Sequence, residues 1–594
     1  MKENAEVMQK QPRWRWRAVL AVLFGVGGTA LVVMAAHLGP FGLRTTPGGW
    51  RVVAGLAVLL AALAVSGLPV RAPGRGPGVW QNLRRVLLLT ASITTLVVAF
   101  YTVENWRGRR AWDAYLQELA ARGDTIDLPS LAPPPVPDDQ NFCQCALLRP
   151  ILDLKKTNGV AVWADTNGYA RIQALRSTLG ARDGWPTTTN GLAAWQAYYR
   201  SLTATDSLPA ASRAIVARYG LTGPGSERPI LAGLELTNSP AQDVLLVLRR
   251  FDPELDELKR EAVRRPLDRW AIGYLKSPFD VLLPHLANVK GLCSLLQLRE
   301  MAELEVGERE GAWSDLNLGI RLTESVRREP IIISQLVRAA CWDLVLAPFR
   351  QPIRAHQLTE AQLVSLQQRL IAVDLLEGYE CSMGGERVFD STWLALTRAE
   401  CDSMRGEYNP ELIQSLFDIL RFTTYAPRGW VYQNQVVLCR LTDNYLAACV
   451  DPPRRLVSPA KSVALREAFT TAHGPYSALV PSVFQLQVQF GNLYFRGAQF
   501  AHSQTKIDQA VIACALERHW LAHSEYPETL EALVPQFLAK VPHDLINGAP
   551  LHYHRTPEGS YTLYSVGWNE TDDGGQTAPP KDGRPDLERG DWVW

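Results

Sequence analysis

HLANVKGLCSLLQLREMAELEVG (residues 285–307), followed at once by EREGAWSDLNLGIRLTESV (308–326), is the stretch on which the fold turns. Leu286, Val289, Cys293, Leu296, Glu300 and Glu303 advance by three or four, the spacing of one helix face, and Gly307 stops the run. A second periodic segment follows, closed by Pro330. Together they predict a helical hairpin of the tetratricopeptide kind, although no second copy recurs at a period of about 34 residues.

Working outward, the helical pattern extends from Pro284 to about Ala372. IIISQLVRAACWDLVLAPF (331–349) is apolar nearly all round, which predicts a central helix. The next helix opens with a capping box, Thr359 with Gln362, and a hydrophobic staple, Leu358 with Leu363. Residues 140–280 mix Gly/Thr/Asn clusters with short helical runs and read as mostly helical with long loops. LPSLAPPPVPDD (128–139) reads as a stiff proline-rich spacer and a domain boundary.

Upstream lie three uncharged runs, 18–37, 52–70 and 86–103, each close to the ~20 residues that span a bilayer. Arg13, Arg15 and Arg17 before the first run permit a signal peptide, but the run is longer than usual for one and a second follows after a short loop, so a retained span is preferred. Basic residues cluster before the first run and between the second and third, whereas the 38–51 loop holds only Arg44 and Arg51. That pattern predicts a cytoplasmic N-terminus and an extracytoplasmic chain after Val103, with Arg107, Arg109 and Arg110 opposing. The segment 104–127 continues at helical spacing as a juxtamembrane helix.

Residues 1–85 carry 11 Lys/Arg against 2 Asp/Glu and the rest carry 50 against 58, so the net charge of +1 conceals a basic start and an acidic body. The body has no Lys/Arg block with interleaved aromatics, which argues against a nucleic-acid partner. All nine cysteines lie beyond residue 140, where the predicted topology permits disulfides. Cys293, Cys341 and Cys514 sit in apolar helical patterns and read as buried thiols.

Catalytic motifs are sparse. Glu300, Glu303, Glu305, Glu308 and Glu310 are scattered around their helix, so a solvated face partnered by Arg299 and Arg309 is expected in preference to paired acid/base groups. Ser458 and Lys461 match S-x-x-K, but no K-T-G accompanies them, and Thr442-Asp443-Asn444 precedes the serine instead of following it. His519 with His523, and His552 with His554, permit a zinc site geometrically; surface histidines beside Trp520 and Tyr553 explain the same letters more simply. An enzyme would need residues such as His285, Glu300, Glu386 and Arg387 to converge in three dimensions.

The last segment, 501–594, reads as a long helix (505–523), a break at Tyr526-Pro527, a short helix and a hairpin. Leu551–His554 and Tyr561–Ser565 are its strands, turning at Pro557-Glu-Gly559. With LAHSEYP, LEALVP, VPHDLINGAPLHYH, YTLYSVG and a final GDW in that order, it resembles the head of the major pseudopilin of bacterial type II secretion systems. The resemblance implies a calcium-binding loop after the last Ser-x-Gly. Its matching positions are Asn569, Asp572 and Asp573, with Asp582 or Asp586 as further ligands, and calcium's taste for six to eight hard oxygens suits an oxygen-rich, glycine-rich turn. An exposed acidic turn capping a hairpin would use the same residues. A pseudopilin's leader and Phe-Thr-Leu-Ile-Glu-like start run unbroken into its head, whereas residues 104–500 intervene here, so an ordinary fibre subunit is not expected. ENWRGRRAW, PPPVPDDQNF, IISQLVRAA, SVGWNETDDGG and GDWVW also resemble a group of bacterial membrane-anchored proteins of unknown function.

The expected fold is therefore mainly α: transmembrane helices over 1–103, a helical-hairpin array over 140–500, and a small pseudopilin-like α+β domain over 501–594. The expected role is a non-catalytic protein of the bacterial inner membrane, multi-pass, with its large part extracytoplasmic and an envelope protein as partner. An extracytoplasmic hydrolase is the alternative.

Overall fold

The structure is a computed structural model that describes residues 77–157, 160–177, 191–203, 234–273, 282–395, 427–471, 496–580 and 586–594. The apolar runs 18–37 and 52–70 lie outside these. The chain divides into two compact units, Met1–Arg122 with Thr423–Val436, and Gly123–Phe422 with Val437–Trp594.

In the first unit, α1 (Pro77–Ala121) is one unbroken helix of 45 residues, about 65 Å long. It contains the third apolar run and most of the juxtamembrane segment. Ile93, Leu96, Phe100 and Val103 are exposed at intervals of three and four, forming an apolar stripe. Ser92, Thr94, Thr95 and Thr102 each donate a hydroxyl hydrogen bond to the carbonyl four residues earlier, which satisfies these polar groups without water. Near its end, Gly108 meets Gly429 so closely that a Cβ on Gly108 would lie 2.0 Å from the Gly429 carbonyl oxygen. Asn105 accepts from the Gly429 N–H at 2.8 Å, and Trp430 donates to Glu104 at 3.1 Å.

The second unit begins with the proline-rich segment, which is docked and not a free spacer. Leu131 and Ala132 pack on the core, Arg269 donates to the Pro133 carbonyl at 3.0 Å, and Arg265 holds the Asp138 carbonyl. Backbone carbonyls of a proline run have no helical partner, so guanidinium groups reach them readily. Beyond it, β1 (Leu154–Thr157) and β2 (Val160–Trp163) form an antiparallel hairpin that the sequence reading missed. Among the described residues, α2 (Thr166–Ser177), α3 (Gly191–Thr203), α4 (Pro240–Leu248) and α5 (Asp252–Arg264) follow.

The predicted helical hairpin is present as α6 (Pro284–Val306) and α7 (Arg309–Glu324). Pro284 opens α6, and Gly307, at φ +84°, closes it in the left-handed conformation that glycine adopts without strain. Next, α8 (Ile332–Leu346) buries Arg338, Cys341, Trp342 and Val345. Ile332–Arg354 is, among the described residues, the one helix long and apolar enough to cross a membrane; over half of its most apolar window is buried in this body, as a core helix requires. A Cβ on Gly319 of α7 would lie 2.7 Å from Val345 Cγ1, so glycine sets how closely α7 and α8 approach.

After the short α9 (Arg350–Arg354), α10 (Glu360–Ile371) has the predicted Thr359–Gln362 capping box, with Leu358 and Leu363 buried. The remaining helices are α11 (Leu375–Ala395), α12 (Arg428–Cys449), α13 (Pro459–Thr471) and α14 (Gly497–His523). A two-stranded β3 (Val450–Asp451) and β4 (Leu456–Val457) separates α12 from α13. The expected boundary at 500/501 falls inside α14, which packs against α8, α10 and α11. One continuous core runs from Phe142 to Trp594, so the C-terminal segment shares the body's interior.

The C-terminal sheet orders β5 (His552–Arg555), β6 (Tyr561–Ser565) and β7 (Trp592–Val593), all antiparallel. The hairpin turns at Pro557-Glu-Gly559, with Gly559 at φ +79°. The expected short helix after Pro527 is a 3₁₀ turn, Leu530–Leu533. The described cysteines are all free thiols, and Cys293, Cys341 and Cys514 are fully buried.

Candidate functional site

The glutamates of α6 are the first correction. Glu300 and Glu303 are buried, at 0% and 1% exposure, and Arg299 is buried with them. Glu305, Glu308 and Glu310 are exposed as expected. Asp315 of α7 faces the same interior. Arg299 Nε lies 3.1 Å from Glu303 Oε1 and 2.7 Å from Asp315 Oδ2, its Nη1 holds Asp252, and Lys259 pairs with the other Asp315 oxygen. Both Glu300 carboxyl oxygens are buried without a hydrogen-bond partner. Burial, and then the nearby Asp315 charge, hold the Glu300 carboxyl well above its usual range. Burial and then Asp315 push Glu303 up to about 7, against the pull of Arg299.

An ionised, unpaired carboxylate costs several kcal/mol in such an interior, so Glu300 keeps its proton at neutral pH. Glu303 and Asp315 then balance Arg299 and Lys259. The Glu303 carboxyl oxygen sits 3.0 Å from where a Cβ on Gly311 would be, so α7 closes over the cluster. Glu300, Glu303 and Asp315 are buried between α6 and α7, while Asp252 and Lys259 of α5 keep part of their side chains exposed.

His285, also fully buried, contacts Glu329 through Nε2 at 2.8 Å, and its ring lies 4.8 Å from that of Trp270. Ser334 donates its hydroxyl to the other Glu329 oxygen. Serine and histidine thus both bind the acid and do not bind each other, which lacks the nucleophile-to-base contact of nucleophilic catalysis. Glu386 accepts the Ile332 N–H at 2.8 Å and so caps α8; burial pushes it up to about 7, opposed by that N–H. Arg387 bridges Asp443 at 2.6 Å and Asp124 at 3.2 Å. None of His285, Glu300, Glu386 and Arg387 lines the three clefts of about 650, 330 and 500 Å³ among the described residues.

The C-terminal acidic loop uses its oxygens on the chain itself. Asp572 accepts from the Tyr564 hydroxyl at 3.0 Å and the Gly574 N–H at 2.9 Å, and faces His552 at 3.4 Å. Asn569 donates its amide to Asp573 at 2.9 Å, while Asp586 accepts the Glu588 N–H at 3.1 Å. Asp582 lies outside the described residues. The residue that holds the loop is Asp591, which the sequence reading missed: it accepts the Asp573 N–H at 3.2 Å and the Gly575 N–H at 2.6 Å. The four described calcium candidates each have a partner within the loop or its neighbours, and no group of three His/Cys/Asp/Glu that could hold a metal is found among the described residues. Buried Asp544 likewise ties the sheet, accepting from Ile546 N, Ser565 Oγ and Val566 N.

The histidines also disperse. His519 and His523 stack on each other and each donates its Nδ1–H to a local carbonyl, His552 stacks on Tyr564, and His543 faces the carbonyls of Arg454 and Arg455. Lys461 is exposed and Ser458 caps α13 through its carbonyl.

What the helical body leaves open is a groove rich in guanidinium groups. One end, a cleft of about 330 Å³, is lined by Asp268, Arg321, Glu324, Arg327, Arg328, Trp342 and Arg369 among others. The other, about 500 Å³, is lined by Lys259, Ala262, Val263, Asn317, Leu318 and again Ile320, Arg321, Glu324 and Arg369. The shared residues make the two continuous. Both carboxylates of the groove are already engaged. Glu324 takes two hydrogen bonds from buried Arg338, at 2.9 and 3.0 Å, and one from Trp342 at 2.8 Å. Asp268 pairs with Arg321, whose remaining donors reach the carbonyls of Arg265 and Leu267. Arg327 has only a long exposed contact with Glu377, at 3.5 Å. Arg328 and Arg369 make no ion pair among the described residues; Arg369 donates to Asn317 at 2.6 Å. Burial without a counter-ion lowers the Arg369 pKa.

No protein-family model, no curated protein and no solved structure matches the chain.

Proposed function

We propose that this is a multi-pass protein of the bacterial inner membrane whose large extracytoplasmic body is a binding scaffold for another envelope protein. The observation that carries the reading is the fate of the reactive groups. The carboxylates and histidines described above are mostly engaged in internal contacts, while the open groove presents Arg328 and Arg369, which make no ion pair among the described residues. Binding surfaces favour arginine, whose planar fork makes paired hydrogen bonds at low desolvation cost. The apolar stripe on α1 and the back-bonded hydroxyls beneath it support the membrane anchor, and the small three-stranded sheet supports the pseudopilin-like head.

A photo-crosslinking residue in place of Val263, beside the groove, in the full chain within its native envelope tests the scaffold. A discrete adduct of partner size is expected, and it is expected to vanish when Arg328 and Arg369 are reversed to glutamate. An adduct-free body would count against it. For the anchor, a periplasm-active reporter fused after Trp594 is expected to be active; a silent one reverses the topology.

A further inference from the structure

The arginine groove is specific enough to name the chemistry of its occupant. We propose that it takes an extended acidic peptide segment whose carboxylates alternate with apolar side chains. This rests on the scaffold reading above and goes one step further.

Charge comes first. Arg328 and Arg369 face the groove without an ion pair among the described residues, Arg327 has only its 3.5 Å contact with Glu377, and Asp268 and Glu324 are each already paired with an arginine. Carboxylate is the partner that a guanidinium fork matches with two parallel hydrogen bonds. Apolar surface comes second. Val263, 87% exposed, and Leu267, 37% exposed, stand beside the arginines, and Leu318 and Ile320 line the floor. A small inorganic anion would satisfy the arginines and leave that surface wet. Shape comes third: the two clefts join through Arg321 and Arg369 into one elongated groove, which a compact ligand would fill at one end only. Nucleic acid would need stacking platforms, and Trp342, the one aromatic residue among these lining groups, has its N–H committed to Glu324.

The test uses the full chain in detergent and a short fluorescein-labelled peptide alternating Glu and Leu, with a Lys/Leu peptide as its charge-inverted control. Anisotropy is expected to show the acidic peptide binding about tenfold or more tighter than the basic one, and weakening as salt rises. Arg328→Glu with Arg369→Glu is expected to cost about tenfold in affinity, while Lys540→Glu in the separate cleft near His543 changes nothing. If the charge reversal impairs folding, as judged by its thermal transition, Arg328→Gln with Arg369→Gln carries the same expectation with a smaller loss. Equal binding of both peptides, or binding that survives these substitutions, overturns the proposal. So does full competition by inorganic pyrophosphate at equal concentration, which would make the groove a small-anion site, or binding only of a second copy of this chain. If the peptide fails while Val263 still crosslinks a partner, the groove's occupant is wrong and the scaffold stands; if both fail, the scaffold falls too.

Discussion

Two acid-rich stretches of this chain end in opposite environments. LREMAELEVGERE on α6 has the composition of a solvated face, yet Glu300 and Glu303 are buried beside Asp315, Arg299 and Lys259. NETDDGG after β6 has the composition of a ligand loop, yet its described oxygens are spent on nearby side-chain and backbone donors and Asp591 holds it in place. The number of carboxylates predicts neither outcome. What decides is which donors the fold brings to them: two cations on neighbouring helices in one case, backbone N–H groups of a glycine turn in the other.

The sharpest way to break the contrast is to remove a cation from the buried cluster. Arg299→Met leaves Glu303, Asp315 and Asp252 short of their shared partner and is expected to cost about 3–5 kcal/mol in urea unfolding. Asp573→Ala in the loop removes a surface carboxylate and is expected to stay within about 0.5 kcal/mol. Equal effects would erase the distinction.

Titration sharpens it next. Glu300 and Glu303 have folded pKa values raised above their unfolded ones, so their contribution is fully present below about pH 4.5 and is lost as pH rises through about 7 and beyond. The melting temperature is therefore expected to fall between pH 5 and pH 8. Glu300→Gln mimics the protonated acid and is expected to flatten that fall and raise the melting temperature at the alkaline end. A variant with an unchanged pH profile would place the titration elsewhere.

Smaller effects belong to the loop. Asp591→Ala strips two N–H groups of their acceptor and is expected to cost about 1–2 kcal/mol in thermal unfolding, whereas Asp572→Asn leaves the transition nearly unchanged. Calcium decides between the loop's two readings: a rise in melting temperature at millimolar calcium that Asp572→Ala abolishes is expected if the loop is a metal site, and no shift leaves its carboxylates to the turn alone.

Much of the helical body was legible in the letters. Periodicity located α6, α7 and the core helix α8, and Gly307 and the Thr359 capping box marked ends that the structure uses. The burial of Glu300 and Glu303 was legible too, since they continue the series Leu286, Val289, Cys293 and Leu296 on one face; charge was weighed above phase, and phase won. The β1–β2 hairpin was missed because its strands are four residues each and lie among loop-forming residues. The groove could not be seen at all. Its arginines come from 321–328 and 369, and only tertiary packing brings them together with Val263 and Asp268. Asp591 is similarly remote, 16 residues along the chain from the Gly575 N–H that it holds.

The central proposal is that this body binds an envelope partner through its arginine groove. The most direct measurement is the photo-crosslink at position 263 in the native envelope, run in parallel on the unaltered groove and on Arg328→Glu with Arg369→Glu. The account predicts one partner adduct in the first and its loss in the second, with both proteins folded and present in equal amounts. The same adduct in both, or none in either, would contradict it.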